Sequence, residues 1–326
     1  MISLIDIKTQ LQKSYVGKKI ISIYHYLIAI PLSKVGLLKY YFIQNKPEFI
    51  ELKKIRFITN EELFSEIINE KKSLVRFGDG EIAWIYQESK GYFGQKNSKE
   101  LSEKLKYALQ HPGKKSIIAI PNFFGNFDDY TKSRINAKNI HLSKYGKRWF
   151  ELLDLNYPYG DAFVTRVYNG RLNSDFVKDF DNWKKIWDNR NVVIVEGSGT
   201  KFGVGNDLLS NAKSLKRIIA PSENAFSKYN EILTEILNLD NDLLILIALG
   251  PTATILSYDL AENYDRQAID IGHLDIEYEW FLNKTTKPSP VKGKYVNESG
   301  GMSLDELDKE ILKKYKQEIT SVISID

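Results

Sequence analysis

Polar and apolar positions along the 326 residues follow two rhythms. Blocks of strand length that are apolar at nearly every position, at 116–120, 191–195 and 243–249, read as strands covered on both faces, because a strand with one wet face would alternate. Shorter blocks at 162–167, 217–220 and 267–271 are read as further strands, as is the run through Leu74, Val75 and Phe77. Between them, 98–110, 176–188, 206–212, 225–237 and 252–263 carry apolar residues at helical spacing. Thr59-Asn60-Glu61-Glu62, ahead of Leu63, Phe64, Ile67 and Ile68, predicts one more helix opened by a capping hydroxyl and early acidic residues. This β-α-β-α order predicts an α/β fold: a Rossmann-like, doubly wound, mostly parallel sheet with helices on both faces. Ligands of such sheets collect at the carboxyl ends of the strands.

Residues 1–50 fit neither rhythm and are set apart as an N-terminal apolar and basic helical appendage, leaving 51–326 as the main domain. Its most apolar stretch, residues 20–32, contains Ser22 and His25 and stops near Pro31. That is short of the ~20 residues a spanning helix needs. Basic residues lie within and after the apolar run and no small-residue cleavage site follows, so no signal peptide is read and a cytoplasmic location is expected. Lys13, Lys18, Lys19, Lys34 and Lys39 beside apolar positions predict peripheral contact with the inner face of a membrane. The exposed apolar character also predicts self-association as a homo-oligomer.

Composition removes several chemistries. Without cysteine there are no disulfides, thiolate zinc sites or cysteine nucleophiles. A net charge of +4, from 46 basic and 42 acidic residues, supports a local anion site but no nucleic-acid partner.

Chemistry concentrates at four strand ends. Arg76-Phe77-Gly78-Asp79-Gly80-Glu81 places two carboxylates either side of a glycine, where two glycines permit a tight turn. Asp79 and Glu81, expected outside the core, suit Mg²⁺ or Mn²⁺, which take few protein carboxylates and complete their shell with water and phosphate. Residues 197–205, glycine-rich with Lys201, precede a helix expected to be capped by Asn206 and so predict an anion cradle from Gly197 to Gly205. The spacing matches neither a P-loop nor a dinucleotide fingerprint. Gly250-Pro251-Thr252 starts another helix, with Thr252 offering hydroxyl and amide. His273, Asp275 and Glu277, just past the last strand, form the candidate set for a base that deprotonates an acceptor hydroxyl; Asp275 and Glu279 are expected on one helix face with Glu277 pointing elsewhere.

These segments, in this order, resemble the GT-D-type glycosyltransferases, a bacterial family first catalogued as a domain of unknown function. The matching text is Arg76 to Glu81; Val195-Glu196-Gly197 with Gly203-Val204-Gly205-Asn206-Asp207; Glu223-Asn224-Ala225-Phe226; Leu249 to Ala253; Gln267 to His273 with Asp275 to Trp280; and Lys294 to Glu298. The resemblance spans roughly 55–300. It implies a Rossmann-like sheet, a UDP-sugar donor, a divalent metal on Asp79 and Glu81, and transfer of glucose or a related hexose to a glycan or glycoprotein acceptor in bacterial surface glycosylation. Arg76, Gly78, Gly197, Gly205, Asn206, Gly250 and Thr252 are then expected at the substrate. Two other readings are a nucleotide-cofactor oxidoreductase on the same sheet, which the glycine spacing disfavours, and a non-catalytic partner in a glycosylation complex.

Overall fold

The computed structural model describes residues 19, 23, 25–299, 301–303 and 306–324. Its elements begin with helices Ile30–Ile43 (α1), Pro47–Leu52 (α2) and Asn60–Asn69 (α3), strand Ser73–Arg76 (β1), helices Glu81–Ile85 (α4) and Lys99–Gln110 (α5), strand Ser116–Ile120 (β2) and helix Lys132–Leu152 (α6). Strand Gly160–Asp161 (β3), helix Phe176–Ile186 (α7), strands Asn191–Gly197 (β4) and Ser214–Ala220 (β5), and helix Tyr229–Leu237 (α8) follow. Strand Leu244–Ala248 (β6), helix Pro251–Tyr264 (α9), strand Ala268–Asp270 (β7) and helix Leu274–Leu282 (α10) complete the central part. The chain closes with the hairpin Tyr295–Val296 (β8) and Gly301–Met302 (β9), helix Lys309–Glu318 (α11) and strand Ile319–Val322 (β10).

Eight strands form one sheet in the order β10-β5-β4-β6-β7-β1-β2-β3, with every neighbouring pair parallel. Their doubly apolar runs divide residue by residue between two layers. Val75, Ile118, Val193, Val195, Ile245 and Ile247 face α5, α6, α8 and α9. Leu74, Ile117, Val192, Ile194, Leu244 and Leu246 face α3, α7 and α10. The expected architecture is therefore observed, with a period-2 strand feeding both cores. Thr59 caps α3 as predicted: its hydroxyl accepts from the Glu62 amide, and the Glu62 carboxylate accepts from the Thr59 amide at 2.8 Å. Connections diverge at two places along the sheet. β4 leads out to β5 while its neighbour β6 leads to β7, and β1 leads to β2 while its neighbour β7 leads into α10. Crevices for ligands open at such points.

Several local readings differ. The strand expected at 162–167 is only Gly160–Asp161, because Asp161 accepts from the Phe163 amide at 2.8 Å and turns Ala162–Thr165 into a 3₁₀ helix. No helix forms at 206–212: Gly203 and Gly205 take positive φ, and the Asn206 side chain accepts from the Leu208 amide, holding a turn. α6, the 21-residue helix, has no counterpart in the sequence reading, since Asn, Ser and Gly dilute its stripe of Leu142, Tyr145, Trp149 and Leu152. The edge strand β10 is likewise new. Among residues 1–50, α1 and α2 are helical as expected; much of 1–24 lies outside the described residues.

Candidate active site

The β1–β7 rim gathers the motif that begins at Arg76. Arg76 ends β1, and its Nε lies 3.5 Å from Oδ1 of Asp270 at the end of β7. α4 folds back over the strand with Ile82 and Trp84 buried, which draws Glu81 into the interior; Glu81 is 8% exposed rather than outside the core, while Asp79 on the turn stays exposed. Neither Gly78 nor Gly80 needs a positive φ. Gly78 instead serves close approach: a Cβ there would come 2.9 Å from Glu81 Oε2 and 3.3 Å from an Arg76 guanidinium nitrogen. From the β7 side, Gly272 has φ +47° and leaves room for the same guanidinium, which a Cβ would overlap. One arginine thus serves two buried carboxylates, with a third negative charge beside them. Burial pushes the Glu81 carboxyl up to about 7, Arg76 opposing and Asp270 and Asp79 reinforcing the rise. Burial likewise raises Asp270 against the pull of Arg76.

The residues of α10 separate in role. Asp275 and Glu279 share one face, as expected. Both Asp275 oxygens are taken by the buried Lys294 ammonium, at 2.9 and 2.7 Å, and Lys294 also donates to Glu279 at 3.0 Å. Glu277 points elsewhere and is fully buried; its Oε2 accepts from the amides of Tyr168 and Asn169 at 3.1 and 2.6 Å, and its Oε1 is 3.6 Å from Arg166. His273 keeps 15% of its side chain exposed, with Nε2 buried. Its Nε2 lies 2.9 Å from Glu298 Oε2, in contact but off the line of a directed hydrogen bond, and Arg166 donates to the other Glu298 oxygen at 2.7 Å. Burial and then Arg166 lower the His273 pKa below its ordinary value. Burial works to raise Glu298, but His273 and Arg166 outweigh it and hold that carboxyl well below its ordinary range. Asp79 and Glu277 join Glu298 in raising the pKa of Arg166, which links the β1 turn electrostatically to α10. Arg166 was missed in the sequence because it follows a turn with no motif around it.

At the β4 rim the glycine-rich loop is fastened from beneath. Glu196 and Arg217, both buried, pair at 2.7 Å; Glu196 also accepts from the Phe202 amide, and Arg217 donates to Glu318. Lys201 donates to the Gly293 carbonyl at 2.9 Å, and Asn206 donates to Asp275 and Glu279, both at 2.8 Å. Lysine and asparagine therefore tie the loop to its neighbours, and with no helix at 206–212 the loop is no helix-terminal cradle. Gly197 and Gly205 contribute backbone only. Pro251 opens α9 as expected, and Gly250 has φ +55° with the Phe93 ring packed against it. Thr252 is buried beneath.

Two observations bear on ligands. Among the described residues, eight buried side-chain polar atoms make no directed hydrogen bond; Arg76 Nε, His273 Nε2 and Glu277 Oε1 are three of them, each facing a charged partner instead (Asp270, Glu298 and Arg166), and Thr252 Oγ1 is a fourth. Buried polar atoms without a directed hydrogen bond are uncommon in native proteins. No group of three or more His, Cys, Asp or Glu side chains among the described residues is arranged to hold a metal. Asp79 and Glu81 thus offer at most a two-carboxylate platform, a donor set that fits Mg²⁺ or Mn²⁺ when water and phosphate supply the remaining ligands.

Comparison with known proteins accords with this geometry. The family described as Glycosyltransferase GT-D fold matches residues 74–299. Glycosyltransferase GlyD of Streptococcus pneumoniae is 38% identical over 222 residues, 68% of this chain and 27% of that protein. The probable glycosyl transferase Gly of Streptococcus gordonii is 34% identical over 233 residues, 71% of this chain and 34% of that protein. The chain therefore spans about a third or less of the length of these curated relatives. Among solved structures, one described as a domain of unknown function with a distinct glycosyltransferase fold superposes with TM-score 0.77 at 32% identity, covering 85% of this chain and all of that one. A glycosyltransferase from Streptococcus sanguinis gives TM-score 0.76 at 31% identity, over 83% of this chain and all of its own. With strands β2 to β7, the β1 turn and the α10 segment all inside the matched span, the chain belongs to the glycosyltransferases of the GT-D fold.

Proposed function

We propose that this chain transfers a hexose, glucose or a close relative, from a UDP-sugar to a glycan or glycoprotein acceptor in bacterial surface glycosylation, with a divalent cation held by Asp79 and Glu81. The observation that carries the reading is the surplus of negative charge around Arg76, whose one guanidinium faces Glu81 and Asp270 with Asp79 beside them. Bound there, Mn²⁺ or Mg²⁺ supplies electrostatic stabilisation of the diphosphate leaving group. Arg76 orients Glu81 and opposes the rise that burial imposes on the Asp270 carboxyl. Arg166, clamped by Glu298 and Glu277, holds positive charge over the same crevice for the donor phosphates. Backbone at Gly197, Gly205 and Gly250 borders the nucleotide, while Asn206 and Thr252 shape its walls.

Of the three residues expected to supply the base, we assign the role to His273, the one that is not fully buried. Asp275 is held by Lys294, and Glu277 by two backbone amides on one oxygen with Arg166 facing the other, which makes them positioning residues. A neutral imidazole facing the acceptor takes the hydroxyl proton as the glycosidic bond forms.

Nucleotide-sugar turnover by the purified chain, assayed across UDP-sugars with Mn²⁺, with Mg²⁺ and with chelator, tests the proposal. Release of UDP only with metal and with one preferred sugar is expected. No turnover of any donor would favour a non-catalytic partner instead. His273→Gln is expected to lower kcat with KM for the donor unchanged; equal losses in binding would reassign the residue.

A further inference from the structure

α1 lies across α6 through one face only. Gly36 sets the approach, since a Cβ there would come 3.2 Å from Ile140, and Tyr40 and Ile43 pack into the core beside it. The opposite face is also apolar. Leu27 just ahead of the helix and Leu32, Val35, Leu38, Tyr41 and Phe42 along it are between 58% and 71% exposed. At about 100° per residue these positions fall on one continuous side of the helix. A helix packed on its own protein has no reason to carry large apolar residues on its solvent side. An exposed apolar stripe of this size marks a contact surface.

Charge selects the partner. From residue 7 to residue 47 the sequence has seven lysines and no aspartate or glutamate. Of these, Lys34, Lys39 and Lys46 are exposed on or beside α1. A second copy docking through the same stripe would bring these lysines together with no carboxylate of the segment to meet them. An anionic bilayer offers the complement, hydrocarbon for the stripe and headgroups for the ammonium groups. Among the described residues no helix is long and apolar enough to cross a membrane, so contact through α1 is interfacial. We infer that the outer face of α1 lies in the surface of an anionic membrane and holds the transferase domain against it. The inference is independent of the donor, metal and base assigned above.

The test is flotation of the full chain with two vesicle types, neutral phosphatidylcholine and phosphatidylcholine doped with phosphatidylserine. The chain is expected to float with the anionic vesicles and to be released by high salt. Leu38→Glu combined with Phe42→Glu is expected to abolish flotation, with circular dichroism and thermal unfolding showing the fold retained. Lys34→Gln and Lys39→Gln, which leave the stripe apolar, are each expected to weaken binding about fivefold. Failure of the wild-type chain to float with anionic vesicles would overturn the inference, and so would equal binding by the glutamate variant. A stable dimer that the glutamate pair dissociates, without vesicle binding, would assign the face to a second copy.

Discussion

Two strand ends of one sheet each carry a buried glutamate, and they treat it differently. At the end of β4, Glu196 has a partner for each oxygen, Arg217 at 2.7 Å and the Phe202 amide at 2.7 Å. Arg217 in turn is filled by Glu196, the Phe202 carbonyl and Glu318. At the end of β1, Glu81 shares Arg76 with Asp270, and Asp79 adds charge rather than relieving it. The first arrangement is complete within the protein and serves the loop above it. The second has one guanidinium for two buried carboxyls with a third acidic side chain beside them, and under the proposed function a divalent cation would supply the missing positive charge. Buried charge alone does not distinguish structure from function; the balance of partners does.

The sharpest way to break this comparison is to remove the β1 carboxylates. Asp79→Asn and Glu81→Gln are each expected to lower transfer on the order of a thousandfold while leaving the unfolding transition nearly in place, as read by sugar-transfer assay and denaturant titration. The β4 pair is expected to do the reverse. Arg217→Leu, which strands Glu196, should cost about 3 kcal/mol or more of stability, and Glu196→Leu with Arg217→Leu should recover part of it. Gly272→Ala sits between the two classes. It forces an unfavourable φ and pushes on Arg76, so about 1–3 kcal/mol of stability and much of the activity should be lost together. Arg217→Leu losing activity without stability would undo the contrast.

The smallest effect is in pH. In metal-free buffer the Glu81 carboxyl has its pKa raised from 4.5 in the unfolded chain to about 7 in the fold. The folded state then binds more protons than the unfolded one between these values, so stability falls as pH rises through that window. Glu81→Gln should flatten that part of the slope, which thermal unfolding from pH 4 to pH 8 measures. An unchanged slope would mean that Glu81 is not the strained carboxylate.

Much of this was legible in the sequence because doubly apolar runs and strand-end glycines are local signals. The strand assignments at 116–120 and 191–195, the cap at Thr59 and the break at Gly250-Pro251 rest on neighbours within a few residues. α6 and β10 were not legible, because their apolar partners, α1 and β5, are distant in sequence and no strong local period marks them. The glycines of Arg76 to Glu81 read as permitting a tight turn, whereas Gly78 is small to admit Glu81 and Arg76. Lys201 and Asn206 looked like ligand contacts because residue type was visible and pairing was not; Gly293 and α10 occupy them. Arg166, Lys294 and Glu298, which set the charge around α10, come from separate segments that only the fold brings together.

Calorimetric titration of Mn²⁺ into the chain with and without UDP measures the central claim most directly. The account predicts one Mn²⁺ per chain taken up more tightly when UDP is present, with that uptake lost in Asp79→Asn and in Glu81→Gln and kept in Arg217→Leu. Equal Mn²⁺ uptake by the wild-type chain and both carboxylate variants would contradict it.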